Sequence, residues 1–186
     1  MLDEHILISK VAQGDKEALR EIYEIHAKKV YNMIFNRFND QYLADDMTQD
    51  VFLTVYDKSI TFRGDSQVST WIYSIAFNKC LDELRRRKKT LRYKSSYQTL
   101  EREYDKTFPV SLTTILTAVD RLKQSQKEAF TMVYLDKISQ KEASEILNMN
   151  IKAFESLLYR ARISLQKILS KTKDSLKKTS KRYEDN

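Results

Sequence analysis

The sequence contains very few of the residues that interrupt helices. Of its 186 residues, only two are glycine and one is proline, against average usage of about 7% and about 5%. A chain with so few turn and breaker residues favours long helical segments over many short strands. We therefore predict an all-α fold.

Cysteine and long apolar runs are also lacking. The single cysteine, Cys80, excludes a disulfide within the chain, which is typical of the reducing cytoplasm. No apolar stretch approaches the roughly 20 residues of a transmembrane helix. The opening stretch, MLDEHILISKVAQ, lacks the apolar core of a signal peptide. We expect a soluble, cytoplasmic protein without membrane insertion.

Metal ligands are scarce. The sequence has two histidines, His5 and His26, and no Cys/His cluster with the spacing of a zinc site. Asp46, Gln49 and Asp50 form an acidic strip on one helix face, and paired acids also serve in metal sites and acid–base catalysis. A metal-dependent nuclease is therefore one alternative, although we expect no metal, no cofactor and no catalytic residue.

An excess of basic residues indicates an anionic partner. Lysine and arginine number 33, whereas aspartate and glutamate number 26, which leaves a net charge of +7. Such an excess favours nucleic acid as the partner first and an acidic membrane surface second. The acidic strip is an exception on this basic chain, and its alternative interpretation is an ordinary solvated face.

Apolar residues at helical spacing predict three helices in the first third of the chain. These helices cover residues 3–12, 16–37 and 41–57. Gly14 and Asp15 end the first helix and cap the second. A fourth helix is expected to start near Ser69 or Thr70, either of which can act as an N-cap, and to end at Lys89.

A polar segment divides the chain into two domains. It is dotted with tyrosines, has no sustained helical period and ends at Pro109, which is typical of a flexible linker. The predicted division is an N-terminal domain, a linker, a C-terminal domain and a basic tail, at residues 1–89, 90–109, 110–171 and 172–186.

The fourth predicted helix combines features that suit separated DNA strands. A polar loop precedes it, Trp71 and Asn78 lie along one line, and the helix ends in five consecutive basic residues, 85–89. Aromatic, amide and basic groups together can contact unstacked bases and phosphates. The alternative is that Trp71 belongs to the core and that the basic run is a solvated helix end favoured by the helix dipole.

The second half of the chain predicts a helix-turn-helix. Two capping-box patterns, Ser125 to Glu128 and Ser139 to Glu142, precede apolar runs. A short turn then ends at Asn150, which can cap the last helix. A short helix, a three-residue turn and a longer helix form the helix-turn-helix arrangement. A helical hairpin without a DNA role is the alternative.

Three blocks of sequence resemble the extracytoplasmic-function (ECF) sigma factors, small bacterial initiation factors of the sigma-70 family. The blocks are LADDMTQDVFL at 43–53, FRG at 62–64 with STWIYSIAFN at 69–78 and LDELRRR at 81–87, and EIL at 145–147 with LYRAR at 158–162. Each block is degenerate alone, but three in this order and spacing are specific. The resemblance covers nearly the whole chain apart from the linker and the tail.

The resemblance implies an alternative sigma factor rather than an enzyme. The first domain would bind core RNA polymerase and open promoter DNA at the element called −10. The helix-turn-helix would read the element called −35. Core RNA polymerase and promoter DNA are therefore the expected partners, and an anti-sigma factor is a further one.

The resemblance also implies particular contact residues. Binding to core polymerase is assigned to Asp46, Gln49, Asp50 and Phe52. Contact with the −10 element and melting are assigned to Arg63, Asp65, Ser66, Ser69, Trp71, Asn78, Arg85 and Arg86. Contact with the −35 element is assigned to Lys152, Glu155, Ser156, Tyr159, Arg160 and Arg162.

The chain departs from the family pattern at three positions. Lys123 stands where the family usually has a proline after leucine, and Glu155 and Leu157 replace two usual cations of the recognition helix. The helix then reads an unusual sequence, binds weakly or faces a protein instead. A helix-turn-helix regulator that acts without polymerase is a rival, although a simple repressor has no use for the acidic strip or the Trp71 helix.

Overall fold

The structure is a computed structural model of the chain, and it describes residues 3–93 and 110–184. Within these ranges the regular elements are helices, a short 3-10 turn (Ser59–Thr61) and a π-helical turn (Thr131–Leu135). The helices are α1 (Glu4–Ala12), α2 (Lys16–Phe38), α3 (Gln41–Lys58), α4 (Val68–Tyr93), α5 (Val110–Asp120), α6 (Gln124–Phe130), α7 (Gln140–Ile146) and α8 (Ile151–Glu184). The prediction of an all-α fold is confirmed.

Short polar side chains begin several helices where the sequence predicts it. Asp15 accepts hydrogen bonds from the backbone N–H groups of Glu17 and Ala18, at 2.9 and 3.1 Å. These bonds satisfy donors that the first turn of α2 leaves without intrahelical partners. Gly14, with a φ of 88°, supplies the left-handed residue that turns the chain between α1 and α2.

The ends of α4 and α8 differ from the prediction. α4 begins at Val68, so Ser69 and Thr70 lie inside its first turn instead of capping it. It continues to Tyr93, beyond the predicted end, and most of the predicted linker, 94–109, lies outside the described residues. α8 runs on through the predicted tail because no glycine or proline interrupts it.

The capping box predicted at the start of α6 is wrong. α6 begins at Gln124, and its N-cap residue, Lys123, makes no side-chain capping bond. Glu128 points inward, with a relative exposure of 7%, and accepts a hydrogen bond from Gln124 at 2.6 Å. The residues of a capping box are present in the sequence, but the helix begins one residue before Ser125, and Glu128 bonds to Gln124 instead of to the N-cap backbone.

The first four helices form the N-terminal bundle. α2 packs against α1, α3 and α4, and its apolar stripe lies at the centre. The side chains that fill the centre are almost entirely inaccessible to solvent. They include Leu7, Val11, Ile22, Val30, Met33, Ile34, Val51, Val55, Ile72, Ala76 and Cys80.

The helices after the linker form the C-terminal bundle. α6 and α7 both pack against α8, and Phe154, fully buried on α8, is among the largest side chains between them. α5 packs on a later part of α8 and forms a small separate core there. That second core consists of Ala118, Val119, Leu122 and Leu165.

The two bundles are packed against each other. α7 lies on α4, and the π-helical turn lies on α2. Buried apolar side chains of the C-terminal bundle, including Met132, Ile138 and Phe154, belong to the same continuous core as those of the N-terminal bundle. The described residues therefore share one main hydrophobic core that crosses the predicted domain boundary.

Polar contacts accompany this packing. Arg37 of α2 donates to Asp136 at 2.8 Å and lies 3.5 Å from a carboxylate oxygen of Glu128. Asn36 donates to the other oxygen of Asp136 at 2.9 Å. Side-chain exposure is 5% for Arg37, 0% for Asp136 and 9% for Glu128, so the ion pairs lie inside the protein.

We expect Ile22→Ala to destabilise the protein by about 2–5 kcal/mol, because it removes buried methyl groups and leaves a cavity. The matched control is Ile25→Ala on the same helix, since Ile22 is 0% and Ile25 50% exposed. Urea unfolding followed by the fluorescence of Trp71, the single tryptophan, measures both. Equal destabilisation by the two variants would contradict the placement of α2.

Candidate interfaces for protein and nucleic acid

The outer face of α3 and the 3-10 turn that follows it carry a row of exposed side chains, which we call the α3 seam. Its members follow one another at spacings of four, three, four, three and four residues. They are Tyr42, Asp46, Gln49, Leu53, Tyr56 and Ile60. Several are large and apolar, and Tyr42, Leu53 and Ile60 are 89%, 64% and 78% exposed. A seam at this spacing is typical of packing against another helix.

Two residues predicted to bind polymerase lie off the α3 seam. Asp50 is exposed but forms an ion pair with Lys79 of α4 at 2.5 Å, so its charge already has a partner within the bundle. Phe52 is 4% exposed, and its ring packs edge-on against Tyr23 at 4.8 Å between centroids. Phe52 therefore lies in the main core behind α3 rather than on its exposed face.

Three of the four large apolar members of the α3 seam were not predicted from the sequence. Tyr42, Tyr56 and Ile60 were not assigned to any surface, although they continue the spacing that joins Asp46 to Leu53. A helical period of apolar residues on the face opposite the core was the available signal. Only the structure shows that this face has no covering helix among the described residues.

The loop before α4 is anchored by aromatic rings. Phe62 packs between His5 and Trp71, with centroid distances of 5.5 and 5.2 Å. Gly64 has a φ of 78°, a conformation that glycine adopts without steric cost. Trp71 is half-buried in this cluster, so it positions the loop and presents only one part of its ring to solvent.

Five of the residues predicted to contact the −10 element gather at this loop. Arg63 and Asp65 are exposed, and Ser66 and Trp71 are half-buried. Ser69, in the first turn of α4, donates to Glu142 of α7 at 3.3 Å. The structure thus brings these side chains together, but one of them is engaged by the C-terminal bundle.

The other −10 candidates lie further along α4. Asn78 is exposed, and Arg85 lies roughly 24 Å along the helix axis from Ser69 at about 1.5 Å per residue. Arg85 donates to Asp82 at 2.8 Å. Arg86 donates twice to Glu83. These pairs neutralise part of the basic helix end.

Glu83 has an environment that favours its charged form. Hydrogen bonds from Arg86, and also from Arg87, lower the pKa of Glu83 although its partial burial opposes this shift. Arg87 also lies over the ring of Phe38, 5.0 Å from its centroid. The basic run is therefore tied to the bundle at its start.

The helix-turn-helix forms as the sequence predicts. Ser139 and Glu142 form a complete capping box at the start of α7. Asn148 has a φ of 52°, the left-handed conformation that asparagine tolerates. Asn150 accepts a hydrogen bond from the backbone N–H of Ala153 at 2.8 Å and caps α8. The predicted box and turn are both confirmed.

The outer face of α8 presents the residues predicted to contact the −35 element. All of them are exposed: Lys152, Glu155, Ser156, Tyr159, Arg160 and Arg162. Arg162 is drawn towards the bundle, where it lies 5.5 Å from the centroid of the Tyr134 ring. Arg160 donates to the carbonyl oxygen of Ser156 at 3.2 Å.

One of the two departures in the recognition helix is a core residue. Leu157 is 8% exposed and belongs to the main core, so it replaces a usual cation without altering the outer face. Glu155 is exposed and is the departure that changes the charge of this face. Of these two departures, Glu155 alone therefore changes the charge of the outer face of α8.

Neither a metal centre nor a membrane span emerges from the described residues. Among them, no three His, Cys, Asp or Glu side chains cluster in a way that would hold a metal ion. No helix within the same ranges has the length and apolar character needed to cross a membrane. Asp46, the one acidic member of the α3 seam, is thus not part of such a cluster among the described residues.

Two segments of the chain match known families. Residues 22–90 match the family described as Sigma-70 region 2, and residues 112–165 match Sigma-70, region 4. The chain is 29% identical over 157 residues to the ECF RNA polymerase sigma factor SigM of Bacillus subtilis (strain 168), covering 81% of this chain and 94% of SigM. It is 27% identical over 176 residues to SigW of the same strain, covering 87% and 94%.

Solved structures share the fold. CnrH, in complex with the cytosolic domain of CnrY, has a TM-score of 0.69 and 21% identity, over 90% of this chain and 97% of that chain. RpoE from Bartonella quintana, in complex with the anti-sigma factor NepR, has a TM-score of 0.64 and 19% identity, over 81% and 96%. The chain belongs to the sigma-70 family, as an ECF sigma factor. It is therefore an alternative sigma factor for transcription initiation.

Proposed function

We propose that this sigma factor divides its work among the three surfaces described above. The α3 seam binds core RNA polymerase, the Phe62 loop with the start of α4 engages the melted −10 element, and the outer face of α8 reads the −35 element. The division into domains 1–89 and 110–171 is part of this proposal. The protein acts in the cytoplasm and has no catalysis of its own.

The α3 seam is the observation that carries polymerase docking. Large apolar side chains in a continuous exposed row mark an interaction surface, because soluble proteins rarely expose contiguous apolar patches without a binding role. Asp46 adds a negative charge to the seam of a chain whose net charge is +7. A partner with a helical, basic surface fits this combination, since opposite charges steer association.

The packing of Phe62 and Trp71 supports a role of the Phe62 loop in opening promoter DNA. Phe62 and Trp71 hold the backbone from beneath, so Arg63 and Asp65 project from a supported loop. Extruded bases are recognised by stacking and by hydrogen bonds to their polar edges. A loop whose anchor is rigid presents those groups with less loss of conformational freedom on binding.

An anti-sigma factor is a further proposed partner. The related fold of RpoE was solved together with the anti-sigma factor NepR, and that structure supports the proposal by analogy of fold. The chain offers exposed apolar side chains outside the α3 seam, such as Ile6 and Ile25, at 51% and 50%.

We expect Asp46→Lys to slow association with core polymerase several-fold and to change its salt dependence, because near-surface charges act mainly on the rate of encounter. Asp46 is exposed and lies on the α3 seam. Binding kinetics measured at two salt concentrations test this. Leu53→Ala, measured in the same way, should instead speed dissociation, because it removes apolar contact area.

The matched control for this charge reversal is Glu21→Lys, which alters an exposed acid of α2. Its binding kinetics should equal those of the wild type. If Asp46→Lys and Leu53→Ala both bind as the wild type does, with helicity intact, the α3 seam is not the docking surface.

We expect the triple variant Arg63→Ala, Asp65→Ala and Ser66→Ala to bind polymerase normally but to lose transcription from duplex promoters. Among the described residues, the one hydrogen bond that these side chains donate runs from Ser66 to the neighbouring carbonyl of Gln67, at 3.3 Å, so folding should hardly change. Run-off transcription on a duplex and on a pre-melted template provides the comparison. Partial rescue on the pre-melted template is the expected result, and equal loss on both templates would contradict a role in opening.

We expect Glu155→Gln to relax base preference at one position of the −35 element. A carboxylate in the major groove can accept from the cytosine amino group, and a good base contact discriminates by about 1–3 kcal/mol. Selection of the full-length protein on randomised duplexes measures this preference. If Glu155 faces the backbone instead, Glu155→Lys raises affinity for all duplexes and steepens the salt dependence by about one phosphate contact.

The control for this selection is Glu145→Gln, which removes an exposed charge from α7 rather than from the recognition helix. Its base preferences should match those of the wild type. A chain that shows no sequence preference in any variant would contradict the assignment of the −35 element to α8.

A further inference from the structure

The first helix lies beside the surface proposed for the −10 element. The match to Sigma-70 region 2 begins at residue 22, so α1 lies outside it, and none of the proposed contact residues belongs to α1. Nevertheless, α1 packs on the 3-10 turn, Ser59–Thr61, that leads directly into the Phe62 loop, residues 62–67. The placement of this loop therefore depends in part on α1.

The ring of His5, on α1, supports the Phe62 loop at two points. It lies 5.5 Å from the ring of Phe62, which in turn lies 5.2 Å from the ring of Trp71. A Cβ atom at Gly64 would lie 3.9 Å from Nδ1 of His5, so the loop backbone also runs close to the imidazole. His5 is half-buried by these contacts.

The backbone of the Phe62 loop is hydrogen-bonded at its two ends. The N–H group of Phe62 donates to the carbonyl of Ser59, and the N–H group of Trp71 donates to the carbonyl of Gln67, both at 3.1 Å. Between these bonds the chain turns at Gly64, whose φ is 78°. The contacts of His5 thus act on the part of the loop that lies between its hydrogen-bonded ends.

A row of three side chains fixes the start of α1. Nε2 of His26 lies 3.1 Å from a carboxylate oxygen of Glu4, and Nδ1 of His26 lies 3.1 Å from the Tyr73 hydroxyl oxygen. Since an ionised carboxylate only accepts hydrogen bonds, Nε2 carries the proton and Nδ1 accepts from Tyr73. Burial lowers the pKa of His26, although Glu4 opposes this shift, so the ring is neutral at pH 7, as this arrangement requires.

The contact made by Glu4 also determines the direction of His5. The two residues are consecutive, and neighbouring side chains on a helix point about 100° apart. With Glu4 directed at His26, His5 is directed at the Phe62 loop. Leu7 and Val11 of the same helix are buried in the main core, so α1 is a fixed support for this loop.

We propose that His5 is a positioning residue for the −10 element: its ring, carried by the start of α1, holds the Phe62 loop in the conformation that receives an extruded base. This inference rests on the proposed function of the loop. His5 acts through Phe62 and the loop backbone. A loop that is held before binding loses less conformational freedom when the DNA arrives.

The first test measures the order of the loop in the free protein. Trp71 is the single tryptophan, and its ring contacts Phe62. We expect acrylamide to quench Trp71 emission more strongly in His5→Ala than in the wild type, because Phe62 loses its support. His5→Phe, which restores an aromatic ring, should be quenched as the wild type is. The matched control is Ser9→Ala, an exposed position one turn further along α1, and it should change nothing.

The second test measures DNA binding by the holoenzyme. Core RNA polymerase with the wild-type chain selects an oligonucleotide from a randomised single-stranded pool, and a scrambled version of that oligonucleotide serves as the reference. We expect His5→Ala to bind the selected oligonucleotide about two- to tenfold more weakly, the factor by which loss of one aromatic pair shifts an equilibrium. Affinity for the scrambled oligonucleotide and for core polymerase should stay as in the wild type, and His5→Phe should restore most of the binding.

A general folding defect would give a different pattern. It would weaken binding to polymerase and to both oligonucleotides together, and His5→Phe would not restore it. That pattern overturns the positioning role, as does wild-type affinity of His5→Ala for the selected oligonucleotide. Equal loss in Ser9→Ala would also overturn it, because any change on α1 would then be sufficient.

Glu4→Ala tests how α1 directs His5. This variant removes the carboxylate that bonds to His26 but keeps the imidazole of His5. We expect stronger quenching of Trp71 and weaker binding of the selected oligonucleotide, both smaller than in His5→Ala, because the apolar side chains of α1 still pack in the core. Wild-type behaviour of Glu4→Ala would overturn the part of the proposal that assigns the direction of His5 to Glu4.

The two measurements separate failure of this inference from failure of the proposed function. If the wild-type holoenzyme selects no sequence from the pool, the proposed −10 role of the loop fails. The quenching comparison then decides alone. Equal quenching of His5→Ala and the wild type overturns the support of the loop by His5, and stronger quenching of His5→Ala upholds it.

Discussion

One buried cation constrains how the two bundles of the described residues are oriented. Arg37 connects α2 to two carboxylates of the C-terminal bundle and lies over the ring of Phe77, 5.5 Å from its centroid. A guanidinium with so little access to water must have compensating charges close by. The bundles are therefore held in a particular orientation, because the apolar core alone would tolerate small shifts that this charge arrangement excludes.

With the two bundles packed in this orientation, the chain presents an apolar surface on α3 and a polar, charged surface on α8. The apolar faces of α2 and α4 are buried in the shared core. The outer face of α3, on the side away from this core, has no partner among the described residues. The rows on α3 and α8 are exposed, whereas Ser69 donates to Glu142 across the contact between the bundles. In this arrangement Ser69 is engaged by Glu142, while Leu53 on α3 and Tyr159 on α8 stay exposed.

Local patterns in the sequence predicted much of the secondary structure. The starts of α2, α7 and α8 follow from side chains that bond to backbone N–H groups two or three residues away, and Asn148 adopts the left-handed conformation that asparagine tolerates. The failures share a different cause. Glu128 did not form a capping box because Arg37, which is distant in sequence, provides a buried partner. Ser69 did not cap α4 because the helix begins one residue earlier and its hydroxyl group bonds to Glu142.

The sequence by itself determined the helices, the helix-turn-helix and the family, because these depend on spacing and on residue types along a continuous stretch. Only the tertiary structure decided that Phe52 and Leu157 are internal, that the α3 seam is uncovered and that Arg37 is buried between the bundles. Helical periodicity states which residues share a face but not what that face meets. That outcome depends on contacts between residues about a hundred positions apart, such as Arg37 and Asp136.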